Sequence, residues 1–179
     1  METDPAKIDA VTSWSIPKSV RDVRSFLRLC SYYRRFVQDF AEIAAPLHEL
    51  AGKYAKFTWT EKCQHAFDQL KTAQSTSPIL AMPTYDDVYI LDTDASEQSI
   101  GAVLSQVQQQ EERVIAYASR TYNNAERNYC TTRKELLAVG YFMRQFKQYL
   151  LGAHFLVRTD HSALTSIQRA AELVGQQAM

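Results

Sequence analysis

The sequence has 179 residues, and its hydrophobic fraction of 46% is enough to build the core of one or two domains. Basic and acidic side chains are equal in number, so the formal net charge is zero and any nucleic-acid site has to be a local basic patch. The three cysteines lack zinc-ligand spacing, the first residues are acidic and polar, and no apolar run reaches the roughly 20 residues of a membrane span. We therefore expect a reduced intracellular protein, cytoplasmic or nuclear, that is neither secreted nor bound to a membrane.

A basic helix is predicted early in the chain. Ser19 is a good N-cap, and a periodic run continues to about Val37. At about 100° per residue, one side of this helix is apolar. Its members are Val23, Phe26, Leu27, Cys30, Tyr33 and Val37. The opposite side carries Arg21, Arg24, Arg28 and Arg35. Such a stripe suits a nucleic-acid backbone, although an ordinary solvated helix face has the same composition.

Two further helices complete the predicted N-terminal module. One covers Ala41 to Leu50, and the other, capped by Thr60, runs through Lys71. The connection from Thr76 to Pro83 is rich in Ser, Thr and Pro, which is typical of a domain boundary. We expect a helical module at residues 1–83 and a second domain at 84–179.

Short strands and one long helix are predicted in the second half. The strands are Val88–Thr93, Gly101–Gln106, Arg113–Ala118 and Phe155–Thr159. The first three follow one another at hairpin spacing, which favours antiparallel pairing. A helix of about twenty residues is predicted near Thr131–Leu150, and another starts at Ser162–Gln168.

Three isolated acids are the candidates for chemistry. Asp94 comes at the tip of the first predicted strand, Glu135 lies in the long helix, and Asp160 ends the fourth strand. A buried acid is costly unless a cation, a metal ion or a set of donors pairs with it. Taken singly, two of these acids have a structural alternative: Glu135 as a surface acid paired with Arg133 or Arg144, and Asp160 as a helix N-cap.

Several short motifs follow one another in the first half of the chain: Trp14–Pro17, Phe26–Cys30, Tyr32–Phe36, Pro46–Leu47 and Phe57–Thr60. In this order they resemble the thumb and connection region of gypsy-type LTR-retrotransposon reverse transcriptases. The sequence departs from the family at two positions, where Ser15 replaces a proline and Arg28 replaces a glycine.

An ordered set of motifs in the second half resembles the RNase H domain of the same retrotransposon polyproteins. The segments are Asp92–Ser96, Ile100–Gln106, Tyr117–Arg120, Glu126–Tyr129, Lys134–Ala138, Tyr149–Gly152 and Thr159–His161. Each motif alone is weak, but their order is specific, and the resemblance covers roughly residues 3–169. It implies an α+β or α/β fold: a truncated ribonuclease H-like mixed sheet with flanking helices.

The resemblance implies that Asp94, Glu135 and Asp160 are catalytic and bind two Mg²⁺ (or Mn²⁺) ions, which clamp the scissile phosphate. The implied reaction is endonucleolytic hydrolysis of RNA in an RNA–DNA hybrid, with no small-molecule cofactor. We interpret Asp92 as structural and expect it on the face opposite Asp94. Further candidates for contact with the substrate backbone are Ser96, Gln106, Arg120 and Tyr129.

The family's pattern continues after Thr159–His161 with another strand, another helix and a fourth metal-binding Asp. Here the match fades after Arg169, and Glu172 is too close to Asp160 to replace that acid. The polymerase palm and fingers, which carry the RNA-directed DNA polymerase activity of the parent polyprotein, lie upstream of the match. We therefore expect a fragment that hydrolyses weakly or not at all unless other polyprotein segments complete it. The alternative is a catalytically dead or domesticated nucleic-acid-binding remnant.

Overall fold

A computed structural model describes residues 9, 11–76, 80–84 and 87–160. The first part of the chain forms helices α1 (Val20–Tyr32), α2 (Phe40–Leu50) and α3 (Glu61–Ser75). The predicted caps are confirmed, since the Ser19 hydroxyl accepts a hydrogen bond from the Asp22 N–H and the Thr60 hydroxyl accepts one from the Cys63 N–H.

Helix α1 is shorter than predicted. It ends at Tyr32, and a single 3-10 turn follows at Arg34–Phe36, so the prediction of one helix to Val37 is wrong. The chain turns here because Tyr33 and Phe36 pack in a small buried cluster with Leu80. The predicted apolar face is confirmed for Val23, Phe26, Leu27 and Cys30, which are buried on α1. Tyr33 and Val37 are buried as well, but they lie beyond the end of the helix.

A four-stranded mixed sheet forms the second part. Its strands are β1 (Tyr89–Ala95), β2 (Ser99–Gln108), β3 (Glu111–Thr121) and β4 (Phe155–Arg158), in the spatial order β3-β2-β1-β4. The first three pair antiparallel, as predicted, and β4 runs parallel to β1. The mixed sheet with flanking helices confirms the predicted fold class.

The long helix predicted between β3 and β4 is divided in two. Helix α4 (Thr131–Gln145) ends where Phe146 leaves helical geometry, and α5 (Lys147–Leu150) follows as one short turn. Ala138 and Phe142 of α4 are fully buried against the apolar side of the sheet, which includes Leu91 and Leu104.

Two apolar cores stabilise the described chain. One lies among α1, α2 and α3, with Phe26 and Phe67 in ring contact at 4.6 Å between centroids, and the other lies between the sheet and α4. A third, smaller cluster of Tyr33, Phe36 and Leu80 packs against Val114 and Tyr117 of β3, so the chain after α1 contacts the sheet. The boundary between residues 83 and 84 stays a prediction. The helix predicted at 162–168 lies outside the described residues.

Candidate metal centre

Three carboxylates from distant parts of the chain meet at one end of the sheet. Asp94 belongs to β1, Glu135 to α4, and Asp160 follows the end of β4. One oxygen atom from each side chain lies within 4.8 Å of the other two. The structure therefore brings together all three acids that the sequence singled out.

Strand register explains why Asp94 and Asp160 can approach each other. Strand β4 pairs with β1 only as far as the Asp92–Arg158 pair, so Asp94 extends beyond the paired part of β4. The chain leaving β4 thus reaches Asp160 beside the open end of β1. Both acids are exposed, whereas Glu135 is only 4% exposed because α4 packs its side chain toward the sheet.

The donor set suits a hard divalent cation. Carboxylate oxygens are the preferred ligands of Mg²⁺ and Mn²⁺, and two exposed acids leave room for the water molecules that Mg²⁺ retains. Three like charges within 4.8 Å also repel one another, which a bound cation relieves. The residues present therefore fit such an ion.

Tyr122 and Lys134 support the turn beside this cluster. The Tyr122 hydroxyl donates to the Ser96 carbonyl oxygen at 3.2 Å, and burial, followed by the negative charge of Glu135, raises the pKa of Tyr122 to about 12. The Lys134 ammonium donates to the Glu97 carbonyl oxygen at 3.2 Å and lies 4.9 Å from the centre of the Tyr122 ring. Sequence reasoning missed both residues.

Asp39, from the helical module, also approaches the cluster. Burial raises the pKa of its carboxyl group, and the nearby charges of Glu42 and Asp94 raise it further. A Cβ on Gly101, the register partner of Asp94, would lie 3.1 Å from the Asp39 carboxylate oxygen. Nothing in the local sequence around Asp39 indicates this long-range contact.

Asp92 lies outside the cluster, but for a different reason from the one predicted. Residues two apart in a regular strand face the same side, and the ladder through Asp92 and Asp94 is continuous, so the expectation of opposite faces is wrong. Asp92 is instead held by Arg158, which donates two hydrogen bonds to it at 2.6 and 2.7 Å.

The other proposed substrate contacts are mostly engaged within the protein. Gln106 is fully buried and bonds Thr84 and Asp87, so its predicted contact with substrate is wrong. Arg120 forms a double ion pair with Glu126, at 2.7 and 2.9 Å. The Ser96 hydroxyl lies 3.2 Å from the Glu42 carboxylate, and the Tyr129 ring lies 4.0 Å from the Arg133 guanidinium.

The structure separates the four arginines of the predicted stripe. Arg21, Arg24 and Arg28 are exposed on α1. Arg24 donates two hydrogen bonds to the Ala51 carbonyl oxygen at the end of α2, at 2.8 and 3.1 Å. Because α1 ends early, Arg35 turns toward β3 and donates to the Ile115 carbonyl oxygen at 3.3 Å.

No helix in the described part of the chain is both long enough and apolar enough to cross a bilayer.

Residues 59–157 match the model of the RNase H-like domain found in reverse transcriptase. The chain is 41% identical over 177 residues to the retrovirus-related Pol polyprotein from transposon opus of Drosophila melanogaster, covering 92% of the chain and 18% of the polyprotein. It is 37% identical over 177 residues to the polyprotein from transposon gypsy of the same species, covering 92% and 17%. The chain thus spans less than a fifth of each relative.

Two solved structures share the fold. The foamy viral protease-reverse transcriptase dRH in complex with double-stranded DNA superposes with a TM-score of 0.81 at 19% identity, over 94% of this chain and 30% of the viral chain. The foamy viral protease-reverse transcriptase in complex with an RNA/DNA hybrid gives 0.75 at 20% identity, over 88% and 22%. The family match and the curated relatives lead to one conclusion: the chain belongs to the family of RNase H-like domains found in reverse transcriptase, and its relatives include retrovirus-related Pol polyproteins of transposons.

Proposed function

We propose that this chain carries a ribonuclease H site that hydrolyses RNA in RNA–DNA hybrids with the help of divalent metal. The observation that carries the proposal is the convergence of Asp94, Glu135 and Asp160 within 4.8 Å. These acids come from two strand ends and one helix, far apart in the sequence. A purely structural role does not require three like charges to be brought so close together.

Each acid has a separate role in this proposal. Asp94 and Asp160 are exposed and offer oxygen atoms toward the substrate side, while Glu135 offers one from the protein side. Helix α4 fixes Glu135 through its buried neighbours Ala138 and Phe142, so the direction of its carboxylate is set before any ligand arrives. A divalent ion held by these three acids would supply the means to lower the pKa of an attacking water and to stabilise the leaving oxygen.

The proposed partner is an RNA–DNA hybrid, held partly by the exposed arginines of α1. Arg21 and Arg28 extend into solvent and suit phosphate contacts. Two proteins of the same fold were solved with double-stranded DNA and with an RNA/DNA hybrid, which supports this class of partner. The remaining segments of the polyprotein are further proposed partners.

The test is cleavage of a hybrid labelled on its RNA strand, with Mg²⁺ or Mn²⁺, beside a chelator control and a matched DNA duplex. Since the family's fourth metal-binding Asp has no match in this sequence, we expect the chain by itself to cleave the hybrid RNA only weakly, leaving 5′-phosphate and 3′-hydroxyl ends, and not to cleave the duplex. Glu135→Gln removes one carboxylate and should abolish the activity. The matched control is Glu61→Gln, which makes the same change at an exposed position in the first turn of α3.

A different set of assay results favours the alternative of a nucleic-acid-binding remnant. If the wild-type chain binds the hybrid in a salt-dependent manner but leaves it intact with either metal, the chain binds nucleic acid without catalysis. Cleavage that Glu135→Gln leaves unchanged would contradict the assignment of the site.

A further inference from the structure

An acidic side chain of the helical module reaches the turn that follows Asp94. The Glu42 carboxylate, in the first turn of α2, accepts a hydrogen bond from the Ser99 hydroxyl at 2.9 Å and lies 3.2 Å from the Ser96 hydroxyl. Ser96 comes directly after β1, and Ser99 begins β2. One oxygen of Glu42 thus contacts both sides of the turn between these strands.

The turn also has hydrogen bonds of its own. The Ser96 hydroxyl oxygen accepts from the N–H groups of Gln98 and Ser99 at 3.3 and 3.1 Å, and the Ser96 N–H donates to the Ser99 carbonyl oxygen at 2.9 Å. Besides Glu42, the single hydroxyl proton of Ser96 has the Ser99 hydroxyl within reach at 3.1 Å. The Ser99–Glu42 bond is therefore the firmer of the two contacts to Glu42.

The position of α2 relative to the sheet is fixed nearby. Asp94, Gly101 and Ser119 are register partners in a row across β1, β2 and β3. The Ala41 N–H donates to the Ser119 hydroxyl at 2.9 Å, and the Arg34 guanidinium donates to the Ser119 carbonyl oxygen at 2.5 Å. The residues beside Glu42 are thus anchored to the same row that contains Asp94.

We propose that Glu42 is a positioning residue of the metal centre, which fixes the β1–β2 turn and thereby holds Asp94 within reach of Glu135 and Asp160. The inference rests on the proposed function, because it assigns Glu42 a role toward the same metal ligands. Three carboxylates repel one another before metal arrives, so a loosened turn lets Asp94 move away. Residues that orient metal ligands typically change metal affinity by roughly 10- to 100-fold when they are removed.

The test compares Glu42→Ala, Glu42→Gln and Glu49→Ala in the full chain. Glu49→Ala is the matched control, since it removes the same charge from an exposed position on the same helix. The measurements are Mn²⁺ affinity by calorimetry, amide hydrogen exchange at residues 96–99, and kcat and KM for hybrid cleavage.

We expect Glu42→Ala to weaken Mn²⁺ binding roughly tenfold or more. The amides of Gln98 and Ser99 should exchange faster, and kcat should fall while KM for the hybrid stays unchanged. Glu42→Gln should recover most of the loss because its amide oxygen still accepts from the Ser99 hydroxyl. Glu49→Ala should match the wild type.

Three outcomes overturn the inference alone. If the amides of residues 96–99 exchange at the wild-type rate in Glu42→Ala, Glu42 does not fix the turn. If Glu42→Ala binds Mn²⁺ with the wild-type affinity, the turn does not position Asp94. Equal losses in Glu42→Gln and Glu42→Ala show that charge, rather than the hydrogen bond, is responsible. A wild-type chain that neither binds Mn²⁺ nor cleaves the hybrid overturns the proposed function as well, and this result is distinct from the other three.

Discussion

Asp92 and Asp94 lie two residues apart on β1, on the same side of the sheet, in opposite electrostatic settings. Asp92 belongs to a cluster with its own cation, because Arg158 lies between Asp92 and Glu112 and donates two hydrogen bonds to each. Asp94 belongs to a cluster of three acids within 4.8 Å. Where Arg158 lies between the acids, the cluster stabilises the fold; where three acids converge within 4.8 Å, the cluster is suited to bind a cation from solution.

The two clusters differ because β4 ends where it does. Arg158, the last residue of β4, is the register partner of Asp92, so its guanidinium reaches that acid directly. Asp94 lies beyond the paired strand and meets Asp160 from the chain leaving β4. A distance of two residues along β1 thus separates a structural ion pair from a candidate metal site.

The largest expected effect comes from exchanging each acid for its amide. Asp94→Asn should reduce Mn²⁺ binding and hybrid cleavage by roughly 100-fold or more, because it removes a ligand from the proposed centre. Asp92→Asn should leave Mn²⁺ binding and hybrid cleavage unchanged and lower only the free energy of unfolding. Calorimetric Mn²⁺ titration and cleavage assays on both variants measure this contrast. Equal losses of activity in the two variants would contradict the separation of the clusters.

Local sequence was sufficient to predict where most helices and strands begin, and the motif resemblance singled out the three acids. Ser19 and Thr60 cap helices because their hydroxyls accept from nearby N–H groups, a preference that acts over three residues. Asp94, Glu135 and Asp160 were found through short motifs whose order is specific. Their convergence is observed in the structure, whereas their catalytic role stays a prediction.

Contacts between distant residues could not be predicted. The end of α1 at Tyr32 depends on the packing of Phe36 against Leu80 and β3, which no local pattern encodes. The approach of Asp39 and Glu42 to the β1–β2 turn depends likewise on how the helical module lies against the sheet. The prediction that Asp92 and Asp94 face opposite sides was wrong for a local reason, since side chains two residues apart in a strand point to the same side.

Two other ion pairs test how far burial increases the contribution of an ion pair to the free energy of unfolding. Glu126 and Arg120 are 12% and 22% exposed, and the Glu126 carboxylate also accepts from the Asn123 N–H. Glu126→Gln should lower the free energy of unfolding by about 2 kcal/mol, because it weakens charge-assisted bonds to a largely buried guanidinium. Urea unfolding measures the change.

The control is Glu111→Gln, because the pair of Glu111 with Arg113 is 70% and 48% exposed and should contribute about 0.5 kcal/mol or less. Hydrogen bonds from Arg120 lower the pKa of Glu126 below its ordinary value of 4.5. The stabilisation that the ionised Glu126 carboxylate provides is therefore complete above its ordinary pKa and is lost as the pH falls through its lowered pKa. The difference between wild type and Glu126→Gln should shrink accordingly in acid; a pH-independent difference would show that lost packing, rather than charge, causes it.

The arginines of α1 extend the comparison to cations that face solvent. Arg28→Gln should weaken hybrid binding and reduce the slope of log affinity against log salt by about 0.7 to 0.9, the value of one phosphate contact. Arg24→Gln should mainly lower stability, since it removes two hydrogen bonds to the Ala51 carbonyl oxygen. Fluorescence anisotropy over a salt series distinguishes the two variants. An unchanged slope in Arg28→Gln would exclude its proposed contact with phosphate.

The smallest expected effect is the loss of the cation beside Asp92. Arg158→Met should lower the free energy of unfolding by only about 0.5 kcal/mol, because Arg158, Asp92 and Glu112 are 45%, 33% and 40% exposed and water already screens them. Hydrogen bonds from Arg158 and then Ser105 lower the pKa of Glu112, so the Glu112 part of this stabilisation disappears as the pH falls through the lowered pKa. Raising the salt concentration at pH 7 should diminish the same difference. If Arg158→Met also reduced Mn²⁺ affinity, the two acid clusters would be coupled, and the contrast between Asp92 and Asp94 would be one of degree.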